Sequence, residues 1–225
     1  MIQVVSNQTN TIMLKQSIFI HQASIALTNA RRSAEIFQAL TKHGADEWLI
    51  KQLEAQLRNV EKLENQYNDT TAEAKGTTQS LYAVREQGNK LYAQHVLLAR
   101  VAFKDQPTWL EKMELVGPRE KSLPAWIRQT SSFYRHAPAV KDTLVAFQIP
   151  TKEIAEMQKL LNRMMELRTL QVDLKGRAQV ISGQKKRAYA TLRQDMDRFF
   201  RIARIALDAA PQHLEMLGLP VKASV

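Results

Sequence analysis

The chain contains no cysteine, so disulfide bonds and thiol chemistry are excluded. Its 225 residues include only seven glycines and seven prolines, and runs of β-branched and aromatic residues are scarce. The strong helix formers Leu, Ala, Gln, Glu, Lys and Arg make up much of the chain instead. This composition predicts an all-α protein.

Long apolar segments are also missing. No stretch approaches the roughly 20 apolar residues that a membrane-spanning helix needs. The first residues, MIQVVSNQTNTIMLKQSIFI, lack the basic start, the apolar segment and the small-residue cleavage site of a signal peptide. We therefore expect a cytoplasmic protein without a membrane span, and the lack of cysteine is consistent with that compartment.

One segment of eighteen residues occurs twice in similar form. LARVAFKDQPTWLEKMEL at 98–115 and IARIALDAAPQHLEMLGL at 202–219 share seven identical residues without a gap. At the same offset of 104 residues, the apolar series that begins with Leu40, Ile50 and Leu53 aligns with Leu144, Ile154 and Met157. The sequence therefore predicts an internal duplication.

The repeat suggests a division of the chain into five segments. Apolar residues at steps of three and four indicate three helices in each copy. In the first copy, helix A runs from about His21 to Lys42 and is stopped by His43-Gly44, helix B begins after Asp46, and helix C runs from about Leu81 to Lys104. Pro107 and Pro211 suit the first turn of a short helix that closes each copy. We expect a duplicated helical bundle of two tandem three-helix units with cap helices, divided as follows: an irregular N-terminal arm (1–20), first repeat (21–116), linker (117–125), second repeat (126–220) and tail (221–225).

The middle of each repeat allows two arrangements. Residues 68–80 are polar and contain Gly76, and residues 175–186 contain Gly176 and Gly183, which weakens a helix without forcing a turn. A helical hairpin at these points is the favoured prediction. One uninterrupted helix, of the kind found in coiled coils, is the alternative because the apolar stripe continues in phase.

Two arginines lie inside apolar runs, and each is followed eleven residues later by a glutamate of the cap. Arg100 is followed by Glu111, and Arg204 by Glu215. Because a guanidinium among apolar neighbours requires a partner, we predict that each pair forms a structural ion pair that fixes the cap. Arg193 and Arg201, each four residues from Asp197, also have ion-pair spacing.

No recognisable arrangement supports catalysis, a metal or a cofactor. The five histidines form neither Glu-x-x-His nor His-x-x-x-His pairs, which helical metal sites use. Phosphate-binding loops and nucleophile motifs are also missing. His95 lies on the core stripe, where the second copy has Phe199, and is best interpreted as a partly buried, hydrogen-bonded imidazole. We predict a non-enzymatic protein, with no catalytic, cofactor-binding or metal-binding residues.

Positive charge is concentrated in the second half. Residues 1–120 hold 14 Lys/Arg and 13 Asp/Glu, whereas residues 121–225 hold 18 and 9. Such asymmetry can indicate a polyanionic partner. Near the expected hairpin tip, the candidate polyanion-binding residues are Lys175, Arg177, Lys185, Lys186, Arg187 and Arg193.

These observations favour a structural or interaction function. A duplicated helical domain can preserve the interface of an ancestral homodimer within one chain. We therefore expect a scaffold or adaptor that acts through protein–protein contacts, with a protein partner or self-association. The alternative is binding of nucleic acid or another anionic surface through the basic second half.

Overall fold

The structure is a computed structural model that describes the backbone of residues 2–221 and the side chains of residues 16–221. The predicted tail at 221–225 lies, apart from Val221, outside the described residues.

The described residues form helices joined by short turns, so the prediction of an all-α protein is confirmed. A 3₁₀ turn, Ala137–Val140, lies between the fifth and sixth α-helices. In chain order the α-helices are α1 (Ile2–Arg32), α2 (Ala34–Lys42), α3 (Glu47–Ala102), α4 (Pro107–Lys112), α5 (Leu123–His136), α6 (Lys141–Ala146), α7 (Thr151–Ala206) and α8 (Pro211–Met216).

The helix bounds recur at the offset of the sequence repeat. Helices α3 and α7 each have 56 residues and begin 104 residues apart, and the same offset relates α4 to α8. Positive φ angles recur too, at Gly44 (87°) and Gln148 (63°), and at Glu114 (50°) and Gly218 (69°). Both caps begin with the proline that the sequence analysis places in their first turn.

Three local predictions were wrong. The favoured hairpins are not formed, because α3 and α7 continue through residues 68–80 and 175–186. The arm is not irregular, because residues 2–20 belong to α1. The first helix of the repeat is interrupted at Ser33, whose hydroxyl accepts a hydrogen bond from the Ile36 N–H at 3.3 Å and caps α2.

Because the long helices do not turn back, the chain forms two compact units that each combine parts of both sequence repeats. Unit 1 comprises Met1–Asp69 and Ala178–Val225, and unit 2 comprises Thr70–Arg177. Each unit therefore contains one part of α3 and one part of α7. Unit 1 contains α1 and α2 of the first half of the chain and is closed by the cap helix α8. Unit 2 contains α5 and α6 of the second half and is closed by the cap helix α4. The compact units divide the chain differently from the tandem repeats that the sequence predicts.

In unit 1 the two long helices run antiparallel. The Gln56 amide donates to Asp195 Oδ2 at 2.7 Å, and the Lys185 ammonium lies 2.9 Å from Glu64 Oε2. Apolar side chains of α1, α2, α3 and α7 form the core between them, and α8 closes it with Leu214. Burial of this apolar surface stabilises the long helices, whose isolated propensity would not suffice.

Unit 2 is built on the same plan with more aromatic residues. The Gln171 amide donates to the Thr78 hydroxyl at 2.7 Å, and His95 contacts Glu153, so α3 and α7 again run antiparallel. The rings at the centre of the core are Tyr92, Phe103, Trp126, Phe133 and Tyr134, all of them fully buried. Gly88 of α3 lies against Trp126, because a Cβ at Gly88 would stand 3.4 Å from that ring.

Candidate interaction faces

The solvent-exposed side of α7 in unit 1 is strongly basic. The buried residues Leu192, Met196, Phe199 and Ala203 recur at steps of three and four and fix which side of α7 faces the core. The opposite side carries six exposed cations and one exposed acid, Asp197. We call this surface the basic face of α7; its cations are Lys186, Arg187, Arg193, Arg198, Arg201 and Arg204.

These cations share one side of the helix. At about 100° per residue they fall within an arc of about 140°, with Asp197 inside the arc. The alignment of the six cations is not evident from their number in the sequence, although the register of the apolar residues between Leu192 and Ala203 predicts it. The face is therefore a continuous positive surface rather than scattered charge.

The contacts of the basic face leave its charge largely uncompensated. The Arg193 guanidinium lies 5.3 Å from the centroid of the Phe19 ring. Arg201 Nε donates to the backbone carbonyl of Asp197 at 3.2 Å. Neither contact is the ion pair with the Asp197 carboxylate that the spacing predicts, so the positive charge stays available to a ligand.

The structure separates the six candidate polyanion-binding residues. Lys186, Arg187 and Arg193 belong to the basic face. Lys185 is turned toward α3, because its ammonium pairs with Glu64 and lies 4.6 Å from the Tyr67 ring centroid. Arg177 lies in unit 2 and pairs with Asp173 at 2.8 Å, and Lys175 is an exposed residue of unit 2.

The corresponding side of α3 in unit 2 has different chemistry. At the offset of 104, Lys186 and Arg187 correspond to Tyr82 and Ala83, and Arg201 corresponds to Leu97. Tyr82, Leu97 and Val101 are 51%, 65% and 59% exposed. We call this surface the neutral face of α3; its exposed residues are Tyr82, Ala83, Glu86, Gln87, Lys90, Gln94, Leu97 and Val101.

Arg100 anchors the chain that follows the cap in unit 2. Its Nε donates to the Leu115 carbonyl at 2.8 Å, and its Nη2 donates to the Gly117 carbonyl. The guanidinium thus donates to backbone carbonyls of the same segment rather than to the predicted carboxylate of Glu111, which is exposed. Arg204 and Glu215 of the second copy are both exposed, and their pairing stays a prediction.

A polar network is buried in the core of unit 2. His95 is 0% exposed, its Nδ1 lies 2.7 Å from the Tyr134 hydroxyl, and its Nε2 lies 2.8 Å from Glu153 Oε2. Because a carboxylate can only accept, Nε2–H donates to Glu153, while the Tyr134 hydroxyl, which has both a donor and acceptor sites, is the partner of Nδ1. The imidazole of His95 is hydrogen-bonded as predicted, but it is fully rather than partly buried.

Two buried tyrosines of unit 2 are held in the neutral form. Burial raises the pKa of Tyr92 to about 12, and the nearby Glu114 charge adds to the effect. Burial likewise raises the pKa of Tyr134, with smaller contributions from Tyr92 and Glu153. Neither phenol is ionised near neutral pH, so the aromatic cluster contributes no charge there.

Surface grooves occur in both units. In unit 1 a groove of about 480 Å³ is lined by residues of α1 and by Glu61, Glu64 and Asn65 of α3. A groove of about 480 Å³ in unit 2 contains Glu114 and Glu120, which pair with Arg128 at 3.4 and 3.9 Å. Among the residues that the structure describes, no cluster of His, Asp and Glu is suited to hold a metal ion.

None of the helices, within the part of the chain that the structure describes, is both long and apolar enough to cross a membrane.

Comparison with protein-family models, with curated proteins and with solved structures finds no match to this chain.

Proposed function

We propose that this chain is a non-enzymatic scaffold or adaptor that acts through protein–protein contacts. The observation that carries the proposal is the difference between the two equivalent helix faces. At eight equivalent exposed positions, the basic face of α7 has four cations and no acid, whereas the neutral face of α3 has one of each. The two units have the same arrangement of helices but present chemically different surfaces, and an adaptor requires different surfaces to bind different partners.

We further infer that the two copies arose by internal duplication. The seven identities between 98–115 and 202–219, the equal lengths of α3 and α7, and the paired positive φ angles all support this origin. After duplication, each copy could specialise its exposed side while most of the buried positions kept their apolar character.

The neutral face of α3 is the surface that we assign to a protein partner. Tyr82, Leu97 and Val101 place large apolar side chains in water, and such residues typically form the centres of protein interfaces. The exposed residues around them, Glu86, Gln87, Lys90 and Gln94, are polar and could form the rim of the interface.

The experiment is affinity capture from cells of the source organism with three forms of the purified chain. They are the wild type, a variant with Tyr82→Gln, Leu97→Gln and Val101→Gln, and a control with Met165→Gln, Val172→Gln and Val180→Gln. The control removes three other exposed apolar side chains. We expect the first variant alone to lose specific proteins, measured by quantitative mass spectrometry.

Equal capture by all three forms would contradict the adaptor proposal. Circular dichroism of each form verifies that the variants keep their helix content. If the lost partner is a second copy of the chain, light scattering will show a concentration-dependent mass that the first variant lacks.

A further inference from the structure

We propose that the basic face of α7 in unit 1 binds the phosphate backbone of a duplex nucleic acid without reading its sequence. The inference rests on the proposed function, because it names the class of ligand for the second of the two exposed faces. It differs from the sequence-based alternative in its residues, since Arg198, Arg201 and Arg204 join the site whereas Lys175, Arg177 and Lys185 leave it.

The side chains suit phosphate. Five of the six cations are arginines, and a guanidinium can donate two parallel hydrogen bonds to the oxygens of one phosphate. Arg193 and Arg201 contact a ring and a backbone carbonyl rather than a carboxylate. Phosphate binding therefore does not first require an ion pair of these residues to break.

The dimensions suit an extended polyanion. Lys186 and Arg204 are 18 residues apart in one continuous helix, which corresponds to about 27 Å at 1.5 Å per residue. Duplex DNA carries one negative charge per ~1.7 Å of its axis. A duplex lying along the helix would therefore offer phosphates to several of the cations at once, whereas a single phosphate group would reach only one or two.

The surroundings disfavour a membrane. A helix that binds a lipid surface inserts its apolar side among the acyl chains. In α7 that side is occupied, because Leu192, Met196 and Phe199 are buried in the core of unit 1. The basic face would therefore offer a lipid surface its charge and the exposed side chain of Ile205, which follows Arg204, but not the apolar side of a helix.

The positions between the cations disfavour an acidic protein. Protein interfaces depend on large, central side chains, most often aromatic. The exposed neutral positions between Lys186 and Arg204 are Ala190, Thr191 and Gln194, which are small or polar. Such positions allow close approach of a sugar–phosphate backbone. The exposed Ile205, which follows Arg204, lies at the end of this row of residues rather than at its centre, where the anchors of protein interfaces are found.

The test is a titration of a fluorescein-labelled, random-sequence 24-base-pair DNA duplex, followed by fluorescence anisotropy at several salt concentrations. The face variant carries Lys186→Tyr, Arg187→Ala, Arg198→Gln and Arg201→Leu, which are the residues found at the equivalent positions of α3. The control variant removes four exposed cations of unit 2, through Lys75→Gln, Lys152→Gln, Lys159→Gln and Arg168→Gln. Both variants lose the same net charge.

We expect the wild type and the control variant to bind the duplex with a steep salt dependence. Each phosphate contact contributes about −0.9 to the slope of log K against log salt concentration. The face variant should bind at least ~100-fold more weakly near 100 mM salt, and its slope should be smaller in magnitude by about 3 to 4. A duplex RNA of the same length, titrated in parallel, identifies which nucleic acid supplies the phosphates.

Lack of duplex binding by the folded wild type would overturn the inference, and so would equal weakening in the two variants, because net charge alone would then explain binding. Preferential binding to vesicles with 30% anionic lipid, or to polyglutamate, would replace the nucleic acid by that ligand. The adaptor proposal is tested separately, because the variant that removes the apolar residues of the α3 face leaves every cation of the basic face intact.

Discussion

His95 and Tyr134 occupy positions that unit 1 fills with apolar side chains. At the offset of 104, His95 corresponds to Phe199 and Tyr134 to Ala30, both buried in the core of unit 1. The same fold therefore accepts either polar or apolar side chains at these two core positions. In unit 2 the polar side chains can be buried because both ring nitrogens of His95 have a hydrogen-bond partner.

We expect His95→Phe to lower the free energy of unfolding by about 1–3 kcal/mol, because it leaves the buried Tyr134 hydroxyl without its partner. The double variant His95→Phe, Tyr134→Phe removes both members of the pair and should cost less than the sum of the two single changes. Urea unfolding of the four proteins measures the difference. Strictly additive costs would show that the two side chains do not interact.

At the scale of the helix, Gly76 and Gly176 lie inside α3 and α7, and nothing lies within 4 Å of a Cβ added at either position. Each change to alanine should therefore raise the free energy of unfolding by about 0.5–1 kcal/mol, because alanine favours the helix. Gly44 provides the control: its φ of 87° is strained for alanine, so Gly44→Ala should destabilise the protein. Thermal unfolding monitored by circular dichroism measures the change in stability of all three variants.

A loss of stability on changing Gly76 or Gly176 would indicate that these residues form turns rather than helix.

Much of the architecture at this scale follows from local patterns. The apolar stripes, the Gly44 stop and the prolines at the first turn of each cap are local signals, and they predicted the helical class and the cap helices. The hairpins were predicted wrongly because a hairpin and a continuous helix bury the same stripe, including Leu81. What separates them is the pairing of α3 with α7, through Thr78 and Gln171, and neither residue signals that pairing in the sequence.

The basic face of α7 could likewise be predicted only in part from the sequence. Its positive charge is visible in the composition of the second half, and Lys186, Arg187 and Arg193 were named from it. The assignment of Lys185 to a flexible hairpin tip failed, because the uninterrupted helix turns that side chain toward Glu64. Which cations share the exposed face depends on the rotation of α7 about its axis, and the core fixes that rotation through Met196 and Phe199.

At the scale of the whole molecule, each compact unit takes helices from both sides of the linker. We expect that cleavage at a protease site inserted between Gly117 and Pro118 leaves the two fragments bound to each other. One fragment would carry α1 to α4 and the other α5 to α8, and each would supply part of both cores. Size-exclusion chromatography of the cleaved protein should show one peak containing both fragments, which separate in urea.

Elution of the fragments as two independent folded species would contradict the exchange of helices between the sequence repeats. The intact chain carrying the same insertion is the control, because it verifies that the inserted site does not itself disturb folding.

The division of unit 1 between two distant parts of the chain also sets an order of events on the ribosome. Residues up to Asp69 emerge early, but their apolar surface is completed only by residues from Ala178 onward. Translation of the intervening segment, on the order of 110 residues, takes roughly 5–20 s. Unit 2 is complete once Arg177 has been added, whereas α1 and the start of α3 must wait through the whole interval for the α7 residues that complete the core around Leu27 and Leu53. The nascent chain therefore has a built-in interval in which a chaperone can bind its first helices.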